Sequence, residues 1–455
     1  MRRYFGTDGI RGKANAHPLT ADFARRLAIA CGRKILSEWE GTGKPLVLLG
    51  KDTRLSGYLL EYSLSSGFLT AGIDVVRLGV TPTPVVAYLT KHSDALMGAV
   101  ISASHNPYDD NGIKFFSKAG MKLPDETEEE IEALLDEDLD KGPWPTGASV
   151  GRMYEGFQLI DRYISETLET AGSKVSLAGQ RIVMDCANGA AYLVGPRVFR
   201  ELGASLRVIH NSPNGVNINE GCGSTHMQSL VREVRNSGAH FGVAFDGDAD
   251  RALFIDELGN LVDGDRVMAI LATWMKDKGL LSPACLVATV MSNMGLFKAM
   301  ERQNIDVRQT KVGDRYVLEE MLATGARLGG EQSGHIILPD YNFTGDGITT
   351  AIRLAAVISE TGRPLSELAG IMKKFPQILV NVRVTPESKA GVMEIESVQS
   401  AVAQAETLMA GSGRILVRPS GTEALLRVMG EGEEEGLVRK AVNTVAEAIR
   451  KSAGV

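Results

Sequence analysis

"PLVLLGKDTR" (residues 45–54) runs from leucine and valine into Gly50 and then turns polar at Lys51. A short apolar run followed by a polar turn reads as a buried strand and its carboxyl end. The passage recurs at "RIVMDCANGAA" (181–191) and "CLVATVMSNMG" (285–295), each followed by a segment with helical spacing of apolar residues. Strands alternating with helices build βαβ units, and so parallel or mixed sheets covered on both faces. A recurrence of roughly a hundred residues is too long for a solenoid repeat and predicts three related α/β domains. Beyond Pro376 the pattern changes: "QILVNVRV" and "GRILVRPSGTEALLRVMGEG" alternate like strands, and "EGLVRKAVNTVAEAIRKS" is one amphipathic helix. The fourth region is therefore predicted to be a smaller α+β domain. Proline and glycine clusters place the domains at 1–148, 149–257, 258–370 and 371–455, arranged around a central cleft.

The chain has 455 residues, 44% hydrophobic and 23% charged, which suits a multidomain globular protein. No segment approaches the ~20 unbroken apolar residues of a membrane span. A net charge of -7 argues against nucleic acid as a partner. Cys31, Cys186, Cys222 and Cys285 are scattered, with no CxxC and no secretory leader, so buried free thiols in the cytoplasm are expected. The acidic "DETEEEIEALLDEDLD" carries Ile131, Leu134 and Leu135 as a stripe, which makes it a solvated amphipathic helix.

Four polar stretches carry the candidate chemistry. In "VAFDGDADR" (243–251) an apolar strand releases Asp246, Asp248 and Asp250, hard oxygen ligands for Mg²⁺ or Ca²⁺ if the chain turns. Glu257 stands where an EF-hand needs its last ligand, but Arg251 replaces the required glycine and the flanks read as strand. "RPSGTEALLRV" (418–428) gathers Arg418 and Arg427 with Ser420, Gly421 and Thr422, either a phosphate nest or an ordinary hairpin. "LGGEQSGHIIL" (328–338) offers Glu331 and Ser333 to sugar hydroxyls and His335 to a proton. "SASHNP" (102–107) follows the apolar "ALMGAV", and hydroxyls at the carboxyl end of a strand lie where α/β folds place active sites. Arg11 in "FGTDGIRG" (5–12), and Lys51 with Arg54, are surface charges or positive groups facing a cleft.

The sequence resembles the α-D-phosphohexomutase family along essentially its whole length, and within it the bacterial branch that acts on glucosamine phosphate. The likeness rests on "YFGTDGIRG", "SASHNPYDDNGIKFF", "DGDADR", "GGEQSGH" and "RPSGTEALLRV", in the family's order. The resemblance implies a phosphate carried covalently by Ser104, and one Mg²⁺ held by Asp246, Asp248, Asp250 and a phosphoryl oxygen on Ser104. It implies Arg251 beside that group, Glu331 and Ser333 on the sugar, and Arg418, Ser420, Gly421, Thr422 and Arg427 on the substrate's other phosphate. Glucosamine 6-phosphate and glucosamine 1-phosphate would interconvert through a 1,6-bisphosphate intermediate, feeding amino-sugar nucleotide and cell-wall precursor synthesis. Mg²⁺, Arg251 and Lys114 would neutralise the transferring charge. The general acid/base stays open among His335, His105, Lys114 and Arg11. The expected partners are the phosphosugars alone, with no membrane, and the protein a monomer or homodimer. The alternatives are a glucose or mannose phosphate mutase of the same family, or a metal-dependent sugar phosphatase using Asp246 as nucleophile.

Overall fold

The computed structural model describes residues 2–6, 8–139, 141–142, 144–171, 175–384, 391–419 and 425–453. The chain divides into two compact units, one of Met1–Met291 with Ile305–Ile371, the other of Ser292–Asn304 with Met372–Val455.

The larger unit holds three mixed sheets. The first contains β1 (Ile10–Lys13), β2 (Leu46–Lys51), β3 (Asp74–Val80), β4 (Met97–Ile101), β5 (Asp110–Ser117) and β6 (Met153–Glu155), in the order β1-β5-β4-β2-β3-β6. The second contains β7 (Arg181–Asp185), β8 (Ser205–Ile209), β9 (Phe241–Phe245), β10 (Ala252–Asp256) and β11 (Leu261–Val262), in the order β11-β10-β9-β7-β8. The third contains β12 (Cys285–Thr289), β13 (Asp306–Thr310), β14 (Gly329–Gly330) and β15 (Ile336–Ile337), in the order β13-β12-β14-β15.

One plan underlies all three. A central strand (β2, β7 or β12) pairs in parallel with the next strand on one side and the one after on the other. The outer strand β4, β9 or β14 then reverses into an antiparallel partner, β5, β10 or β15. The reversal between those two strands is "SASHNPYD" in the first sheet, "DGDADR" in the second and "EQSGH" in the third. Three of the predicted functional stretches thus occupy the same position in three copies of one fold. The quoted opening strand β2 is buried along Val47–Lys51, as a strand covered on both faces must be.

The domain boundaries expected at 148 and 257 are crossed. β6 lies beyond the first yet pairs with β3, and β11 lies beyond the second yet pairs with β10. Edge strands are available to whatever chain passes them, so the linker pairs before it leaves. The expected 258–370 domain is also interrupted, because helix Met294–Arg302 groups with the smaller unit. Buried Glu431 explains this: its carboxylate accepts hydrogen bonds from Asn293 Nδ2 (3.0 Å) and Met294 N (3.1 Å), and from Arg414 Nε (2.6 Å).

The smaller unit is an antiparallel sheet of β16 (Gln377–Arg383), β17 (Gly413–Pro419) and β18 (Leu425–Gly432), in the order β16-β18-β17. Helices Glu396–Met409 and Glu435–Ala453 cover it, burying Val398, Ala405, Val438, Val442 and Ile449 against Val382, Leu426 and Val428.

Helix Asp125–Leu135 buries Ile131 and Leu135 as its stripe requires, but it is not solvated on all its acids. Glu132 Oε1 accepts the backbone N–H of Tyr4 (2.6 Å) and Phe5 (2.8 Å), and Oε2 that of Arg3 (2.6 Å). The helix therefore pins the amino-terminal segment in place. All four cysteines are free and buried. Among the described residues no helix is long and apolar enough to cross a membrane.

Candidate active site

Ser104 is 1% exposed and holds φ at +52°, a conformation that non-glycine residues adopt only when the surroundings enforce it. Its amide N donates to Ser102 Oγ (2.9 Å), whose hydroxyl in turn donates to Asp52 Oδ2 (2.6 Å). Its carbonyl accepts from Asn219 Nδ2 (2.9 Å) and Arg54 Nη2 (3.2 Å), and both donors also hold the carbonyl of Asn106, at 3.0 and 2.6 Å. The backbone is clamped on both sides, which leaves the hydroxyl to be aimed. It donates to Asp246 Oδ2 at 2.6 Å, across 142 residues of sequence.

Asp246, Asp248 and Asp250 are all buried, with a carboxylate oxygen from each lying within 4.8 Å of the others. Burial, reinforced by the charges of Asp250 and Asp248, pushes the Asp246 carboxyl well above the usual carboxylate range. Asp248 goes the other way: burial would raise it, but the Lys114 ammonium and the Thr83 hydroxyl (2.7 Å) hold it ionised. The Oδ1 atoms of Asp248 and Asp250 are buried without a hydrogen-bond partner. Crowded hard oxygens with unused lone pairs and one carboxyl resisting ionisation are what a small divalent cation relieves, and the triad fits Mg²⁺.

Lys114, 2% exposed on β5, places Nζ 3.0 Å from Asp248, 3.1 Å from Asp8 and 3.5 Å from Asp250. Burial alone would lower its pKa, but the three carboxylates raise it well above the ordinary value, so it stays an ammonium. Arg11 pairs with Asp8, and its pKa too is raised by carboxylates against the effect of burial. His105 is pushed down to about 4 by burial and by the charges of Arg251 and Arg11, so the ring is neutral; its Nδ1 lies 3.3 Å from both Ser104 Oγ and Arg251 Nη1.

The third reversal meets the same place. Ala252, the residue after Arg251, donates its N–H to the Gly334 carbonyl (3.1 Å), bringing "EQSGH" against the end of the aspartate loop. His335 is 3% exposed, with Nε2 3.4 Å from Asp314 and 3.9 Å from Asp250, and neither ring nitrogen makes a hydrogen bond. Glu331 Oε1 accepts from Gly313 N (3.1 Å), and Oε2 lies 3.4 Å from Ser333 Oγ. Arg418 and Arg427 are direct partners across β17 and β18 in the smaller unit. Ser420, Gly421 and Thr422 lie outside the described residues.

Four descriptions of the phosphoglucomutase/phosphomannomutase family match in order: alpha/beta/alpha domain I at residues 2–141, domain II at 161–259, domain III at 263–375 and the C-terminal domain at 379–448. The chain belongs to this family, the α-D-phosphohexomutases. It is 52% identical over 451 residues to the phosphoglucosamine mutase of Carboxydothermus hydrogenoformans, covering 99% of this chain and 100% of that one. It is likewise 52% identical over 450 residues to that of Pelotomaculum thermopropionicum, covering 98% and 99%. Among solved structures, a phosphoglucomutase/phosphomannomutase family protein from Burkholderia thailandensis shares the fold at a TM-score of 0.82 and 22% identity, over 99% of this chain and 98% of that one.

Several residues of this candidate site were not anticipated. Asp8 joins Arg11, Lys114 and Lys122, and Lys122 in turn reaches Asp314 (2.6 Å) beside His335. Thr83, Asp52 and Asn219 are single polar residues whose roles come only from the fold; the one local signal was Asp8 within "FGTDGIRG". Lys51 and Arg54 are neither surface charges nor free cleft groups. Lys51 is buried against Glu61, and Arg54 against Asp52 and the Ser104 carbonyl.

Gly247 shows how closely two loops meet. A Cβ there would stand 2.5 Å from the Ser104 carbonyl oxygen, 2.8 Å from Ile218 and 2.9 Å from the Asn219 amide. Gly247→Ala is expected to lower stability by about 1–3 kcal/mol and turnover by roughly a hundredfold, since displacing a reacting group by about 1 Å costs that much. Urea unfolding and steady-state kinetics on one preparation measure both.

Proposed function

We infer that the protein is active as a phosphoglucosamine mutase, interconverting glucosamine 6-phosphate and glucosamine 1-phosphate through a phosphoserine at Ser104 and a glucosamine 1,6-bisphosphate. The observation that carries the reading is the aimed Ser104 hydroxyl, 2.6 Å from a buried aspartate triad, in a chain of that family.

Phosphoryl transfer asks for in-line positioning and charge neutralisation more than for new covalent chemistry. Clamped by Asn219, Arg54 and Ser102, Ser104 would present its phosphoryl group in one orientation, pass it to a sugar hydroxyl and recover one from the other end of the bisphosphate. Asp246, Asp248 and Asp250, with a phosphoryl oxygen, would hold Mg²⁺, which supplies positive charge to the equatorial oxygens. Lys114 and Arg251 add fixed positive charge beside them. Because carboxylates hold the Lys114 and Arg11 protons, neither is available as a base near neutral pH. His335, whose ring nitrogens make no hydrogen bond, would carry the sugar hydroxyl's proton, and neutral His105, 3.3 Å from Ser104 Oγ, is the other candidate. Glu331 and Ser333 would bind sugar hydroxyls. The loop from Arg418 to Arg427 would bind the phosphate that is not being transferred. A cytoplasmic location would suit a phosphosugar substrate and four free, buried thiols.

Turnover of glucosamine, glucose and mannose 6-phosphates, together with phosphosite mapping, tests the reading. Glucosamine phosphate should lead in kcat/KM by about tenfold or more, with phosphate on Ser104. A lead for glucose or mannose phosphate would overturn the substrate, and an unmodified Ser104 in turning-over enzyme the covalent route.

A further inference from the structure

A second cluster of ligating side chains stands behind the Ser104 loop. Asp185 ends β7, His210 follows β8, and Cys222 lies in the segment before the turn Gly223–Thr225; one ligand atom from each falls within 4.8 Å of the others. Asp185 and Cys222 are fully buried, while His210 is partly exposed and leaves a way in from solvent. We propose that Asp185, His210 and Cys222 form a Zn²⁺ site that braces the Ser104 loop.

The plain alternative is a His–Asp ion pair, which the 3.0 Å separation allows but which leaves the Cys222 sulfur beside it without a role. His210 Nδ1 is 3.0 Å from Asp185 Oδ2, yet that nitrogen makes no aligned hydrogen bond. Each Asp185 oxygen already accepts a backbone N–H, Oδ1 from Ala187 (2.8 Å) and Oδ2 from Gly223 (3.0 Å), which orients the carboxylate and leaves lone pairs for a further partner. Carboxylate, imidazole and sulfur thus converge on one place, in reach of a single ion. On binding, the sulfur forms a bond to the metal and its proton leaves to solvent. A nitrogen, a sulfur and one oxygen select Zn²⁺, whereas the all-oxygen triad selects Mg²⁺. Three protein ligands leave a fourth position for water.

The site is wired to the transferring serine. Asn219, three residues before Cys222, donates its N–H to the Ala187 carbonyl (2.9 Å) and its side-chain amide to the Ser104 carbonyl (2.9 Å). Asn188 accepts the Thr53 hydroxyl (2.6 Å), and Ala190 donates to the Gly247 carbonyl (2.8 Å). Joining residues 185, 210 and 222 would tighten the wall on which Ser104 and Gly247 rest. The proposal does not depend on which sugar is turned over.

Co²⁺ is the probe, because a thiolate ligand gives it a near-ultraviolet charge-transfer band that an all-oxygen site cannot. Chelator-treated full-length protein in excess Mg²⁺ is titrated with Co²⁺, then with Zn²⁺ as competitor. One equivalent should produce the band, Zn²⁺ should abolish it, and Asp248→Asn should retain it. Cys222→Ser should lose it, and His210→Ala, at a partly exposed position, should weaken binding by about tenfold or more. No band at stoichiometric Co²⁺, a band surviving Cys222→Ser, or unchanged affinity in His210→Ala would each overturn the site.

Discussion

Ser104→Ala is expected to remove turnover by roughly four orders of magnitude or more, the scale on which loss of a covalent nucleophile is felt, while the protein stays folded. The fold should survive because the clamp on residue 104 is made by backbone: Asn219 and Arg54 hold its carbonyl and Ser102 its N–H. Alanine keeps all of these and accepts φ +52° no worse than serine does. What it loses is one hydrogen bond to Asp246, worth about 0.5–1.5 kcal/mol, from a carboxyl that burial already disfavours as an ion. Paired measurements of unfolding midpoint, phosphate stoichiometry and mutase rate decide the matter. Retention of more than a few per cent of the wild-type rate would remove Ser104 from the reaction.

Lys114→Met should be the most damaging single change to the site's stability. Its ammonium stands among Asp8, Asp248 and Asp250 at 3.0–3.5 Å, almost fully buried. Methionine fills the space but leaves carboxylates uncompensated, and breaking one side of a buried ionic cluster costs about 3–5 kcal/mol. Transfer should fail as well, since the same ammonium supplies charge beside the triad. A second substitution separates the two effects: Asp248→Asn in the Lys114→Met background removes one stranded charge and should recover part of the stability without recovering activity. Urea unfolding of the two single variants and the double variant, with rates on each, makes the comparison. A double variant no more stable than Lys114→Met alone would show that the cluster does not carry the loss.

The site was legible where its residues are neighbours in sequence. "DGDADR" announces a cation because three carboxylates within five residues have no other inexpensive arrangement once buried. "SASHNP" announces a strand end because apolar residues stop and hydroxyls begin. Thr83, Asn219, Lys122 and Asp314 gave no such sign. Each is a lone polar residue in an ordinary segment, made functional by a partner about a hundred or more positions away. The acidic helix misled for the same reason: its periodicity marks Ile131 and Leu135 as buried, but nothing local reveals that Glu132 caps the amino-terminal segment. Proline and glycine mark where a chain turns, and not which sheet edge it pairs with before leaving, so the pairings of β6 and β11 could not be read from them.

Local order was therefore the property of the sequence by itself: where apolar runs form buried strands, which loops follow them, and what chemistry each loop carries. That these follow from sequence is physical, since strand burial and ligand type depend on residues a few positions apart. The tertiary structure alone decided that the reversals from β4, β9 and β14 are equivalent positions in three copies of one sheet. It brought the Ser104 hydroxyl to 2.6 Å from Asp246, a meeting that the family resemblance implied and no local pattern did, and it alone left His335 unengaged beside Asp314. Those facts arise from how parallel strands stack and where their carboxyl ends emerge, which no local periodicity records.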